Sequence, residues 1–187
     1  MTQAPTPDSQ TVPTPSHRIE VRDAMRGDAG EMAELLNAII AQGGTTALEE
    51  AFTPERFAQA YLDGPDVFCC FVAVDMGSQR IEGFQTLGRY AGLPDDVGDI
   101  GTFARIDGKQ RGVGSALFAA TRARAGELGL AAINATIRAD NVGGLAFYGK
   151  QGFEDHSVKP AVPLRDGRPV DRVSKRFRLV PKREVGI

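Results

Sequence analysis

The sequence predicts a mixed α/β domain: a central sheet of about seven strands with helices on both faces. Three observations predict it. Hydrophobic periodicity gives the order strand, two helices, three strands, helix, strand, helix, two strands. Short turns in the first half make antiparallel hairpins, whereas a strand–helix–strand run in the second half requires a parallel crossover. A glycine-rich turn at residues 108–115 joins the fourth strand to the helix of that crossover.

The length of 187 residues suits one domain. Residues 1–16, rich in Pro, Thr, Gln and Ser, have little to bury and are expected to form a disordered tail; residues 17–187 are read as the domain. Ile19 and Val21 alternate with charged residues as a first strand. Asp28 followed by Glu31 matches a capping box opening a helix through Leu35, Leu36, Ile39 and Ile40, which Gly43 and Gly44 end. Thr53 and Pro54 start a second helix that stops at Asp63, Gly64 and Pro65. Strands at 67–75 and 80–87 pair across a turn at 76–78, and a polar loop leads to a strand at 97–106. The helix at 112–128 carries Val113, Ala116, Leu117 and Ala120 on one face. A strand at 130–137, a helix at 141–151, a strand from Phe153 and a hairpin turn at Asp166 and Gly167 lead to a last strand at 170–180.

Composition excludes several classes. A net charge of −2 gives no basis for a nucleic-acid partner, and the basic residues from Arg172 to Arg183 alternate with apolar ones as a solvated strand face does. No apolar run reaches the length of a membrane span, and no signal peptide opens the chain, so a cytoplasmic protein is expected. Cys69 and Cys70 are adjacent on a strand and point to opposite faces, so they read as core residues, and no metal site is expected.

The chemistry concentrates in the 108–115 turn. Gly112 and Gly114 let the backbone approach a ligand, and the free N–H groups of the following helix favour an anion, most often a phosphate. No Gly-Lys-Ser/Thr closes a P-loop, and Leu117 stands where a dinucleotide fingerprint needs its third glycine. Glycines that merely close a strand–helix turn are the remaining reading of the loop alone.

Two motifs together resemble the GNAT acetyltransferases from about Arg18 onward. The family's pyrophosphate loop, Gln/Arg-x-x-Gly-x-Gly/Ala, is matched by Lys109, Gln110, Arg111, Gly112, Val113 and Gly114, with lysine at the first position. Its Asn followed by Phe-Tyr-x-x-x-Gly-Phe is matched by Asn141, Phe147, Tyr148, Gly152 and Phe153. The resemblance implies acetyl-CoA as co-substrate and no metal. It assigns the pyrophosphate to the N–H groups of Arg111, Gly112, Val113, Gly114 and Ser115, with Lys109 and Gln110 beside them. It assigns the pantetheine arm to the main chain of Phe103, Ala104 and Arg105 and to Asn141, and places Tyr148 near the thioester sulfur. A phenol there protonates the departing thiolate, help worth about two to four orders of magnitude in rate. Gly144 stands where the family has Ala or Ser; with Gly143 it costs the helix about 1–2 kcal/mol, so a helix loosened without its ligand is expected.

The amine must lose a proton before it attacks, commonly to a carboxylate. Glu49, Glu50, Asp95, Asp96 and Asp99 are the candidates, and Glu50 and Asp99 join Tyr148 as the expected catalytic residues. His156 is more often structural, although it could face the acceptor. Residues 45–50 and 53–55 are similar to the acceptor-side segment of the phosphinothricin and methionine sulfoximine acetyltransferases. That likeness implies a small amino-acid-like amine and a homodimer. Polyamine, aminoglycoside or protein amine acetylation, and a sensor that holds acyl-CoA without turnover, are the alternatives.

Overall fold

In the computed structural model, residues 18–108 and 111–179 are described. The expected tail, His17, Lys109, Gln110 and the end of the last strand lie outside the described residues. The strands β1 (Ile19–Asp23), β2 (Val67–Asp75), β3 (Ile81–Gly88), β4 (Val97–Ala104), β5 (Ala132–Arg138), β6 (Glu154–Pro163) and β7 (Pro169–Arg178) form one sheet. Its spatial order is β1-β2-β3-β4-β5-β7-β6. Among the described residues β4 and β5 are the parallel pair, and the other neighbours are antiparallel. The helices are α1 (Ala29–Gln42), α2 (Pro54–Tyr61), α3 (Val113–Glu127) and α4 (Val142–Lys150), with a 3-10 turn at Arg26–Asp28 before α1.

The near-continuous apolar run of β2 is explained by burial on both faces. Cys69, Phe71 and Ala73 pack with Leu117, Phe118 and Ala125 of α3, whereas Cys70, Val72 and Val74 pack with Met32, Leu36 and Phe57 of α1 and α2. The adjacent cysteines therefore enter different cores, as the strand period requires, and neither is bonded. Phe84, fully buried on β3, anchors the second core by an edge contact to Phe57 and a stack on Phe103.

The element order follows the sequence expectation, with differences in detail. The fourth strand ends at Ala104 rather than 106; Arg105 N–H still donates to Glu82 O, while its side chain bonds Ile81 O and Glu31. The buried stripe of α3 is Val113, Leu117, Phe118, Thr121 and Ala125, while Ala116 is exposed. α2 begins as expected, with Thr53 Oγ1 accepting from Arg56 N–H, and Gly43 ends α1 at φ 72°.

The capping box at Asp28 and Glu31 does not form. Asp28 makes no side-chain cap to α1. Its carboxylate takes two bonds from the Arg22 guanidinium, at 2.7 and 2.8 Å, and one from Met25 N–H at 2.7 Å. Glu31 accepts from Ile81 N–H at 2.8 Å and from Arg105 at 2.6 Å. Both carboxylates tie α1 to the sheet instead of to the helix's own end. A charged bidentate bond outcompetes a neutral backbone cap.

The Arg22 bond holds the Asp28 carboxyl below the usual aspartate range. A depressed folded-state pKa gives stability that is present above the unfolded value and lost as pH falls through the folded one. Asp28→Asn is therefore expected to lower the urea midpoint at pH 7, with the gap to the parent narrowing below about pH 4. A gap that stays constant or widens in acid would contradict this account.

Candidate active site

The site begins where β4 and β5 part. They pair only through Val97, Gly98 and Asp99 against Ala132, Ile133 and Asn134, and then diverge although both strands continue. Beyond the fork β4 keeps β3 on its other side, with Arg105 N–H donating to Glu82 O. Alternation then turns the main-chain groups of Thr102 and Ala104 toward the gap, where no strand among the described residues pairs with them. An extended ligand could complete this edge by strand addition.

A cavity of about 1140 Å³ opens on the gap. At one end lies the N-terminus of α3, where Ala116 N–H donates to Gly112 O at 2.9 Å. No side chain caps this terminus, because the capping position is Gly112 at φ 86°, a conformation that suits glycine. The first turn of α3, with the positive end of the helix, faces the cavity beside Gly112, Gly114 and Ser115. A Cβ on Gly114 would meet the Phe147 ring at 2.8 Å, so this glycine is what lets α3 and α4 close on each other.

Tyr148, on α4, is 6% exposed and faces the fork. Its hydroxyl lies 2.9 Å from Thr102 Oγ1, which also accepts from Gln85 Nε2 at 2.8 Å. With Gln85 as donor, the Thr102 proton can point at Tyr148, which leaves the phenol's own proton for the cavity. Burial raises the phenol's pKa, and the Asp99 charge adds to that, against the bonds from Thr102. The group stays protonated across the physiological range.

Asp99 and Asn134 stand at the fork itself, joined by a 2.7 Å bond from Asn134 Nδ2 to Asp99 Oδ1. Burial raises the Asp99 pKa, opposed by this bond, which makes the carboxylate a stronger proton acceptor.

The other expected residues divide. Phe103, Ala104, Gly112, Gly114, Ser115 and Asn141 line the cavity. Arg105, Arg111 and Val113 do not line it: Arg105 is committed to Glu31 and Ile81, Arg111 is exposed, and the Val113 side chain is in the core. Glu50 is exposed beside Arg56 and Glu49 accepts from Arg165 N–H, both outside the lining. Asp95 pairs with Arg89, and Asp96 uses its carbonyl to hold Ala131 and Ala132. His156 falls in a separate pocket with Leu145, Val158 and Val173 rather than in the main cavity. It sits at a register shift of β6, between Asp155 and Ser157.

Asn141 caps α4 through Gly144 N–H and donates to Thr45 O at 2.7 Å. A Cβ on Gly144 would sit 2.6 Å from the Asn141 amide nitrogen. The unusual glycine thus makes room for the cap. Sequence reading missed Thr102, Gln85 and Asn134. Counting residues along α4 from Tyr148 could not have found them, since they lie on β3, β4 and β5.

The Gly114 contact is testable as a coupling. Gly114→Val is expected to destabilise by about 1–3 kcal/mol through overpacking, and Phe147→Ala to relieve part of that, so that the double variant loses less than the sum of the singles in urea melts. Strict additivity would mean the ring does not set the α3–α4 approach.

No protein-family model matches the sequence, and no curated protein does. Solved structures do match. A chain from Acinetobacter baylyi ADP1, provisionally classed as an acetyltransferase, superposes with a TM-score of 0.79 at 18% identity, over 90% of this chain and 96% of that one. An N-acetyltransferase from Staphylococcus aureus Mu50 gives 0.75 at 17% identity, covering 87% and 99%. A GNAT superfamily phosphinothricin acetyltransferase from Sinorhizobium meliloti, in complex with acetyl-CoA, gives 0.73 at 19% identity, covering 89% and 94%. At these identities the likeness is one of fold, and the fold is that of the GNAT acetyltransferases.

Proposed function

We propose that this chain transfers the acetyl group of acetyl-CoA to the primary amine of a small molecule, with an amino-acid-like amine favoured, by direct attack while both substrates are bound. The fork carries the proposal: one cavity joins an uncapped helix N-terminus, an unpaired strand edge, a protonated phenol and a carboxylate of raised pKa.

These parts fit coenzyme A. The α3 terminus suits a pyrophosphate, and the free edge of β4 suits an amide-bearing arm of pantetheine type. The thioester supplies an activated acetyl group and a thiolate leaving group. Tyr148 offers that thiolate a proton from a hydroxyl oriented by Thr102. Asp99, rather than exposed Glu50, takes the amine's proton directly or through water, and Asn134 holds the carboxylate in place. Asn141, already bonded to Thr45, would have to exchange that partner to reach a ligand, which links the 43–52 loop to the cofactor side.

Release of coenzyme A thiol, followed across a panel of amines, tests the reading. Tyr148→Phe is expected to lower kcat by about 10²- to 10⁴-fold with little change in acetyl-CoA affinity. Thr102→Val should reproduce part of that loss. In Asp99→Asn the acid limb of kcat/KM should disappear, because that limb reports protonation of the base. Tight acetyl-CoA binding with no turnover of any amine would point to a sensor instead.

A further inference from the structure

We infer that the acceptor end of the cavity holds an anion site, built from Arg172 and Lys159, for a carboxylate carried on the amine substrate. This rests on the acetyl-transfer reading above and extends it to the part of the acceptor that does not react.

Three cations stand in a row across the far half of the sheet. Arg138 on β5 is directly opposite Arg172 on β7, and Arg172 is directly opposite Lys159 on β6. Cross-strand partners share a face, and all three line the cavity together with Ser174 and Thr136. Arg138 is answered by Asp140, through bonds of 2.8 and 2.6 Å. The other two are not. Among the described residues neither Arg172 nor Lys159 has a carboxylate partner, and the one bond Arg172 makes is from Nη1 to Val170 O at 3.0 Å.

Arg172 is only 9% exposed. A guanidinium so withdrawn from water without a counter-charge is costly, and such groups are normally paired. Its remaining N–H groups open on the cavity, where a planar carboxylate can take two of them at once. Lys159 adds a second, more flexible positive charge from the neighbouring strand.

The backbone points the same way. β6 bulges between Lys159 and Val162, with Ala161 held at φ 52°, a left-handed conformation unfavourable for alanine. Asp171 fixes the bulge by accepting from Ala161 N–H at 2.8 Å. The strain is maintained beside two residues that line the cavity, Lys159 and Val162. This wall also opposes the polycation reading: Asp66 and Asp99 are the carboxylates among the lining residues, and Asp99 sits at the reaction end.

The test compares amino acids of increasing amine-to-carboxylate distance, each against its own carboxamide. Binding is followed by thermal shift in the presence of coenzyme A, and turnover by thiol release. The parent protein should favour each productive acid over its amide. Arg172→Met should raise KM for the acid by about 10- to 100-fold while leaving its amide nearly unchanged. Arg172→Lys should recover part of the affinity, and exposed Lys159→Gln, which leaves the buried wall intact, should lower it in the same direction. Turnover of amines with no preference for the acid, or an equal loss for acid and amide in both variants, overturns the anion site and leaves acetyl transfer standing. If no amine is acetylated, the transfer reading fails and thermal shift decides: stabilisation by acids in the parent but not in Lys159→Gln upholds the site, and its absence overturns it.

Discussion

The structure depends on the parting of two parallel strands. β4 and β5 are joined by three residue pairs and then separate, which leaves main-chain donors and acceptors of a central strand without a strand to receive them. Unsatisfied backbone groups in a sheet interior are expensive, and natural sheets seldom carry them without a use. Here the break is tolerated because the opening is a cavity rather than packed core. Everything proposed for the chemistry sits around it: Asp99 and Asn134 at the apex, Thr102 on one arm, Arg138 on the other, and Tyr148 lying over the gap from α4.

Holding a fork open requires stiffness elsewhere. The two cores supply it by clamping β2 and β3 from both faces, so the sheet on the β1 side is rigid up to β4. On the other side the β5–β7–β6 ladder is long and paired along nearly its whole length. Charged bonds then fix the helices at defined heights: Arg22 to Asp28 and Arg105 to Glu31 attach α1 to β1 and to the end of β4. The arrangement divides labour. The first core runs on across β5 through Ile133 and Ala135 and reaches Phe177 of β7, while Thr136, Arg138, Arg172 and Ser174 of the same two strands line the cavity.

Small residues act in this scheme by what they admit. Gly112 admits a left-handed turn that leaves a helix end bare, Gly114 admits the Phe147 ring, and Gly144 admits the amide of Asn141. At Gly114 the missing Cβ sets the approach of α3 and α4, and at Gly144 it makes room for the helix's own cap. The intrinsic cost of glycine in a helix, about 1 kcal/mol against alanine, is offset where a close contact or a bare terminus needs the space.

The sequence by itself determined the elements and their order, because hydrophobic period, caps and turn glycines are local signals read within a few residues. Ile19 and Val21, Thr53 with Pro54, Gly43 and the uninterrupted β2 run were all legible in this way. So were Gly112, Gly114, Asn141 and Tyr148, which sit at fixed spacings inside single motifs. Asp28 and Glu31 misled for the same reason: their spacing is a local signal, but Arg22 and Arg105 arrive from other elements and bind the carboxylates more strongly. Only the tertiary structure decided which carboxylate lies at the fork, which threonine touches Tyr148, and which arginine is left without a counter-charge. Each is a matter of how strands and helices distant in sequence meet, through strand register or through helix packing on the sheet, and that is set by the packing of whole faces rather than by any short pattern.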